Sequence, residues 1–119
     1  MARRLARPML EDMRAYAREA ADLLGNLSGE DLAADRMRFL AVTRAAEIVG
    51  EAAARVPKAM QDRLVEIEFA DAIAMRHRLV HGYGTIDPTI LADTIRTDFP
   101  PLIVALDAAL AGDLPEEDA

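Results

Sequence analysis

Residues 29–55, GEDLAADRMRFLAVTRAAEIVGEAAAR, decide the fold class. The stretch contains no proline and is dominated by alanine, arginine, glutamate and leucine, all strong helix formers. Its apolar positions, among them Leu32, Met37, Phe39, Leu40, Val42, Ala46, Ile48, Val49 and Ala53, recur at helical spacing but spread over more than one stripe. The spacing predicts one long helix over 29–55, either central to the fold or packed on both its own domain and a second subunit. Ser28 followed by Asp31 makes a weak capping box, Leu27 is placed to staple against Leu32, and Gly29 is tolerated because it opens the helix. Gly50 lies in the helix interior at a cost of about 1 kcal/mol relative to alanine, which a close helix crossing would offset. Val56-Pro57 ends the element, because proline restrains the residue before it.

The flanking segments read the same way. Pro8 fits the first turn of an N-terminal helix that carries Leu10, Met13, Ala17, Ala20, Ala21 and Leu24 on one stripe and ends at Gly25. Residues 58–65 form a short helical connector. A third long helix is predicted from near Glu66, with Phe69, Ile73, Leu79 and Val80 inward, and it stops at Gly82-Tyr83-Gly84. Asp87 caps a fourth helix with Pro88 at its first position and Ile86 stapled to Leu91. Asp98-Phe99-Pro100-Pro101 interrupts that pattern, so Leu102, Val104, Leu106 and Leu110 belong to a short fifth helix or to a kinked continuation. No alternating β-branched run and no internal repeat competes with this reading. The expected fold is an all-α, antiparallel four- to five-helix bundle, one domain over 1–114, with 115–119 a disordered acidic tail.

Composition narrows the chemistry. With 119 residues, 52% of them hydrophobic, the chain matches one compact domain. A formal net charge of -7 gives no overall basic field to attract nucleic acid or an anionic membrane. The absence of cysteine excludes disulfides, thiolate nucleophiles and cysteine-based zinc sites, and two histidines are too few for a histidine-rich metal centre, so no resident metal or cofactor is expected. The basic N-terminus leads into no long apolar run, which argues against a secretory signal or a membrane span and for the cytoplasm.

The residues with chemical potential are concentrated in Arg76-His77-Arg78-Leu79-Val80-His81-Gly82-Tyr83. Histidine exchanges protons near neutral pH, and arginine presents a fixed charge whose forked donors match phosphate oxygens. Phosphodiester cleavage without a metal would use His81 to activate an RNA 2′-hydroxyl and Arg76 to stabilise the phosphorane-like transition state. Positions five apart on a helix point about 140° away from each other, so Arg76 and His81 would not share one face of a straight helix. Ending it at Gly82 removes that constraint and lets the arginine of the last full turn and the histidine of the helix end converge on one cleft, with Tyr83 at its mouth. The same residues also suit a plain helix C-terminus, where basic side chains complement the dipole and hydrogen-bond the last carbonyls. His77, Arg78 and Glu51 are supporting candidates, Glu51 by pointing from the long helix toward the basic cluster. Asp35 and Arg44 read as salt-bridge formers and Phe69 as core.

The Arg-x4-His-x-Tyr pattern at Arg76, His81 and Tyr83 resembles the HepT-like toxins of the HEPN superfamily of small helical ribonucleases. Asp12, Arg44, Gly50-Glu51-Ala52, Val56-Pro57, the RHRLVHGYGTID stretch and Asp98-Phe99-Pro100-Pro101-Leu102 follow that family's layout in order. The resemblance implies a homodimer whose two Arg–His motifs meet in a shared RNA-cleaving cleft, with Arg76 and His81 as the nuclease residues. It also implies a partner antitoxin, the minimal nucleotidyltransferase MntA, which uses ATP to transfer AMP onto the motif tyrosine, here Tyr83. His77 departs from the asparagine or small polar residue usual after the motif arginine, and Phe69 stands where tryptophan is common. Two other readings remain open: a catalytically silent module that binds nucleotide or the transferase partner, and a structural bundle whose basic motif only caps a helix. Two copies of Arg76, Arg78 and His81 brought together by dimer symmetry would make a positive cleft on a negative particle.

Overall fold

A computed structural model describes residues 2–114 of the chain; the acidic tail 115–119 lies outside the described residues. The described residues form six α-helices and no strand: α1 Ala2–Leu24, α2 Gly29–Ala34, α3 Arg36–Arg55, α4 Lys58–Arg63, α5 Phe69–His81 and α6 Pro88–Ala111. A short 3-10 turn, Tyr83–Thr85, joins α5 to α6. The all-α bundle expected from the sequence is therefore the observed architecture.

The core is a seam of small and medium side chains. Along α1, Ala6, Leu10, Met13, Ala17, Ala20 and Leu24 are all buried, at the three- and four-residue spacing of one helix face. They pack on Val42, Ala46, Val49 and Ala53 of α3 and on Ile95, Phe99 and Leu106 of α6, the helices that make the most extensive contacts with α1. Alanine on both sides lets α1 and α3 approach closely. α1 and α6 run antiparallel: Arg7 donates to the carbonyls of Leu110 and Gly112, Arg14 and Arg18 share Asp107, and Arg96 reaches back to the carbonyls of Gly25 and Leu27. Gly25 closes α1 at φ 55°, the left-handed region that glycine enters without a Cβ penalty.

The long helix predicted over 29–55 is broken in two. Asp35, at φ −100° and ψ 85°, ends α2 by donating its N–H to the carbonyls of Asp31 and Leu32, and its carboxylate accepts the Arg38 N–H to start α3. The break has a packing reason: α2 lies on α6, whereas α3 runs between α1 and α5, and one straight helix could not serve both. Gly29 is held by the same contact. A Cβ there would stand 2.3 Å from the Thr89 Oγ1 of α6, so the residue does more than open a helix. The Ser28 cap on the Asp31 N–H forms as expected.

Proline corrects one further expectation and decides between two others. Pro8 lies in the interior of α1 rather than its first turn, and α6 runs unbroken through Pro100 and Pro101. Each proline removes an N–H from the helical ladder. All three are exposed, as are Arg96 and Thr97, whose carbonyls lose those partners in α6, so water can satisfy the freed groups. On the opposite side Ile95, Phe99, Leu106 and Leu110 form one buried stripe that holds the helix together across the pair. Val104 of α6 is exposed. Met37 and Leu40 on α3 are exposed as well, at 84% and 51%.

Helix α5 begins at Phe69, three residues later than predicted, and buries Phe69, Ala72, Met75 and Leu79; Ile73 and Val80 are only half-buried. It packs on α3 but barely touches α6, which leaves two grooves between α5 and α6.

Candidate functional site

The site begins at the crossing of α3 and α5. A Cβ on Gly50 would stand 2.1 Å from the Arg76 Cβ and 2.6 Å from the Ala72 carbonyl oxygen, so only glycine allows this approach. The close crossing that the sequence demanded of Gly50 is thus made against the motif arginine itself. Arg76 is half-buried beside it, its Nε shielded from solvent with no hydrogen-bond partner among the described residues. Its Nη2 stands 3.9 Å from the Glu51 Oε1, and the same oxygen lies 3.4 Å from the Arg44 Nη1. Arg44 also pairs with Glu47 at 3.4 Å. Desolvation, the largest single influence, lowers the Arg44 pKa, but the charges and hydrogen bonds of Glu51 and Glu47 together outweigh it and raise the pKa above its ordinary value.

Glu51 therefore faces the motif, as the sequence indicated, but it reaches only Arg76. The link to Arg44 was not visible as a functional feature; its signal is the i, i+7 placement of Arg44 and Glu51 on one helix face. Asp35 serves as the α3 cap, 3.6 Å from the Arg38 Nε. Phe69 is core, at 4% exposure. Asp12 is exposed on α1.

His81 is the last residue of α5, and Gly82 closes the helix by donating its N–H to the Arg78 carbonyl at 2.8 Å. Because the helix includes His81, the separation of about 140° from Arg76 stands. The helix thus closes at Gly82 as expected, but the convergence of the two side chains on one cleft that this end was expected to allow does not follow: the groove that His81 lines does not include Arg76. Arg76 turns toward α3 and Glu51, while His81 is exposed and lines a groove of about 370 Å³ between α5 and α6, together with His77 and Arg78. Positions 77 and 81 differ by about 40° around the helix, and their rings stand 4.3 Å apart between centroids, tilted by 46°. Arg78 reaches both this groove and its neighbour of about 380 Å³, which is rimmed by Glu66, Glu68, Asp71 and Asp98.

Tyr83 opens the 3-10 turn immediately beyond the groove; its side chain lies outside what the structure describes. The turn is tied by Thr85, whose N–H and hydroxyl both donate to the Gly82 carbonyl. Among the described residues no group of three or more histidine, aspartate or glutamate side chains is placed to hold a metal ion, and no helix is long and apolar enough to cross a membrane.

Comparison with known proteins gives this geometry a context. The family model described as ribonuclease HepT-like matches residues 13–109. The chain is 31% identical over 93 residues to the "Probable ribonuclease HepT" of Thermococcus cleftensis, covering 78% of this chain and 84% of that protein. It is 28% identical over 96 residues to the "Putative RNase TTE0752" of Caldanaerobacter subterraneus, covering 81% and 86%, and 26% identical over 102 residues to the "Putative RNase MJ1216" of Methanocaldococcus jannaschii, covering 86% and 84%. No solved structure matches the chain with significance. The family match runs from α1 to the last turn of α6 and takes in both sides of the α3–α5 crossing: the chain belongs to the ribonuclease HepT-like family.

Proposed function

We propose that the chain is a metal-independent endoribonuclease, the toxin of a HepT/MntA-type toxin–antitoxin pair acting in the cytoplasm, with Arg76 and His81 as its catalytic residues. The observation that carries the reading is an exposed histidine at the end of α5, on an open groove, in a chain of this family. His81 takes the proton from the ribose 2′-hydroxyl beside the scissile phosphate. The 2′-oxygen then attacks phosphorus, the bond to the 5′-oxygen breaks, and a 2′,3′-cyclic phosphate and a 5′-hydroxyl result, the departing oxygen taking its proton from water. Arg76 stabilises the charge that gathers on the non-bridging oxygens, and Glu51 holds the guanidinium in place.

Since Arg76 and His81 diverge within one chain, the reading requires a homodimer in which the two motifs complete a shared cleft. The exposed Met37 and Leu40 are the kind of apolar surface that a partner would cover. Control falls to a minimal nucleotidyltransferase partner that moves AMP from ATP onto Tyr83. An AMP group two residues from His81 blocks the RNA backbone by its size and repels it by its charge.

Wild-type protein compared with Arg76→Ala and His81→Ala on mixed cellular RNA tests the nuclease. Each substitution lowers cleavage by roughly 10²-fold or more with the helical circular dichroism signal intact, and EDTA leaves the wild-type rate unchanged. Equal cleavage by both variants overturns the assignment, and a wild type that binds the transferase without cutting RNA indicates the silent binding module instead. Coexpression with the transferase, followed by peptide mapping, places AMP on Tyr83 and shows that Tyr83→Phe escapes silencing.

A further inference from the structure

His77 has no part in the chemistry just described, yet its ring lies beside that of His81. We propose that His77 and His81 form a two-imidazole site for a divalent transition metal, Zn²⁺, Ni²⁺ or Cu²⁺, and that filling it switches off RNA cleavage. The site itself stands on geometry alone; the inhibition rests on the reading of His81 as the general base.

One turn of helix separates the two residues, which places their Cβ atoms on one face about 5–6 Å apart. The rings are already at 4.3 Å. Both side chains are exposed, and among the described residues neither makes a hydrogen bond or an ion pair, so their nitrogens are free to bind and their torsions free to adjust. Imidazole nitrogen binds zinc at about 2.0–2.1 Å, which sets two donors on one ion about 3 Å apart. Exposed rings with centroids 4.3 Å apart reach that spacing by rotation about their side-chain bonds.

The groove supplies no third ligand. Among the described residues no third histidine or carboxylate is placed to join the pair; Asp87, which lines the groove, caps α6 through its Oδ1, accepting the N–H groups of Thr89 and Ile90, and Arg78 is a cation. Water fills the remaining positions, so the ion is exchangeable and does not support the fold, in contrast to a closed four-ligand zinc site. Two nitrogen donors select along the Irving–Williams order, with Cu²⁺ ahead of Ni²⁺ and Zn²⁺ and with Mn²⁺ weak; Mg²⁺ and Ca²⁺, which prefer oxygen, are passed over. A bound ion occupies the lone pair that His81 needs to accept the 2′-hydroxyl proton. Saturating metal therefore lowers cleavage about as far as losing the base does, roughly 10²-fold.

Isothermal titration calorimetry of the full-length chain without a histidine tag, using NiCl2 and ZnCl2, is the first test. One ion per chain is expected, with affinity about 100-fold or more weaker in His77→Asn and in His81→Asn, each checked for helical content. In parallel, cleavage by wild type and His77→Asn is followed with and without Ni²⁺, each normalised to its own metal-free rate. Wild type loses activity and recovers it on EDTA, whereas His77→Asn keeps its own rate. No binding, or equal binding by His77→Asn, overturns the site; bound metal that leaves wild-type cleavage unchanged overturns the inhibition. A wild type that cuts no RNA at all refutes the nuclease reading and the inhibition together, while the calorimetry still decides the site.

Discussion

Gly50→Ala separates this structure from the ordinary expectation for a glycine inside a helix. In an exposed helix interior the change stabilises by about 1 kcal/mol. Here the new methyl would stand 2.1 Å from the Arg76 Cβ and 2.6 Å from the Ala72 carbonyl oxygen, neither of which is the free end of a flexible side chain. Carbon–carbon contacts settle at about 3.5–4.0 Å, so α5 must retreat from α3 by roughly 1.5 Å. Overpacking of this kind costs about 1–3 kcal/mol, which leaves a net loss of up to about 2 kcal/mol after the gain in helix propensity. For a chain of this length each kcal/mol lost lowers Tm by about 3–6 °C. The displaced atom belongs to Arg76, so the same substitution moves the guanidinium away from Glu51 and lowers RNA cleavage by about tenfold or more. Thermal unfolding by circular dichroism at fixed protein concentration reads the first effect, and initial rates on RNA read the second. Gly84→Ala is the control: its Cβ meets nothing within 4 Å, and its stability stays within about 0.5 kcal/mol of wild type. A higher Tm for Gly50→Ala would refute the crossing as described.

Glu51→Gln keeps the shape of the side chain and removes the charge between Arg44 and Arg76; because solvent-accessible ion pairs contribute little, stability holds within about 0.5 kcal/mol. The kcat for RNA cleavage nevertheless falls by about tenfold, and an unchanged kcat would remove Glu51 as a positioning residue. Asp35→Ala deletes the α3 cap and costs about 1 kcal/mol in chemical denaturation; no loss would mean that the break between α2 and α3 is maintained by packing alone. Arg76→Ala and His81→Ala, each inactive alone, recover about a quarter of the wild-type rate when co-refolded, because half the dimers then hold one intact site. Persistent inactivity of the mixture would place both residues of each site on the same chain.

The sequence carried the element types well because the chain marks them with local chemistry. Ser28, Gly25, Asp87 and Pro88 sit at helix boundaries for reasons internal to a single turn, and each does what its type requires. The stripe read on α1 identified most of its buried face, Leu10, Met13, Ala17, Ala20 and Leu24, although Ala21 is only half-buried and Ala6, ahead of the predicted start, is buried as well. Where the reading failed, a distant element decides the outcome. Nothing around Asp35 signals a break, since Ala33 and Ala34 are among the best helix formers; the break follows from α6 holding α2 at the Gly29–Thr89 contact. Pro100-Pro101 carries a strong local stop signal, which tertiary packing overrides through the buried stripe from Ile95 to Leu110.

The candidate site divides along the same line. That Arg76 and His81 belong to one motif was legible from spacing, and that Gly50 marks a close crossing was legible from its cost. Which way each side chain points depends on where α5 ends. Had α5 ended a turn earlier, His81 would be free to fold back toward Arg76; with His81 inside the helix, the arginine faces α3 and the histidine faces the open groove. A phosphodiester that engaged both groups, as proposed above, would then lie between two copies of the chain. The same geometry answers the net charge of -7. Within one chain the positive groups are divided between two faces, and Glu51 offsets Arg76. Two such faces brought together would concentrate two arginines, two histidines and the flanking Arg78 side chains around one RNA backbone. The field that matters to a polyanion is that local one, within roughly a Debye length of 8–10 Å, rather than the charge of the whole particle.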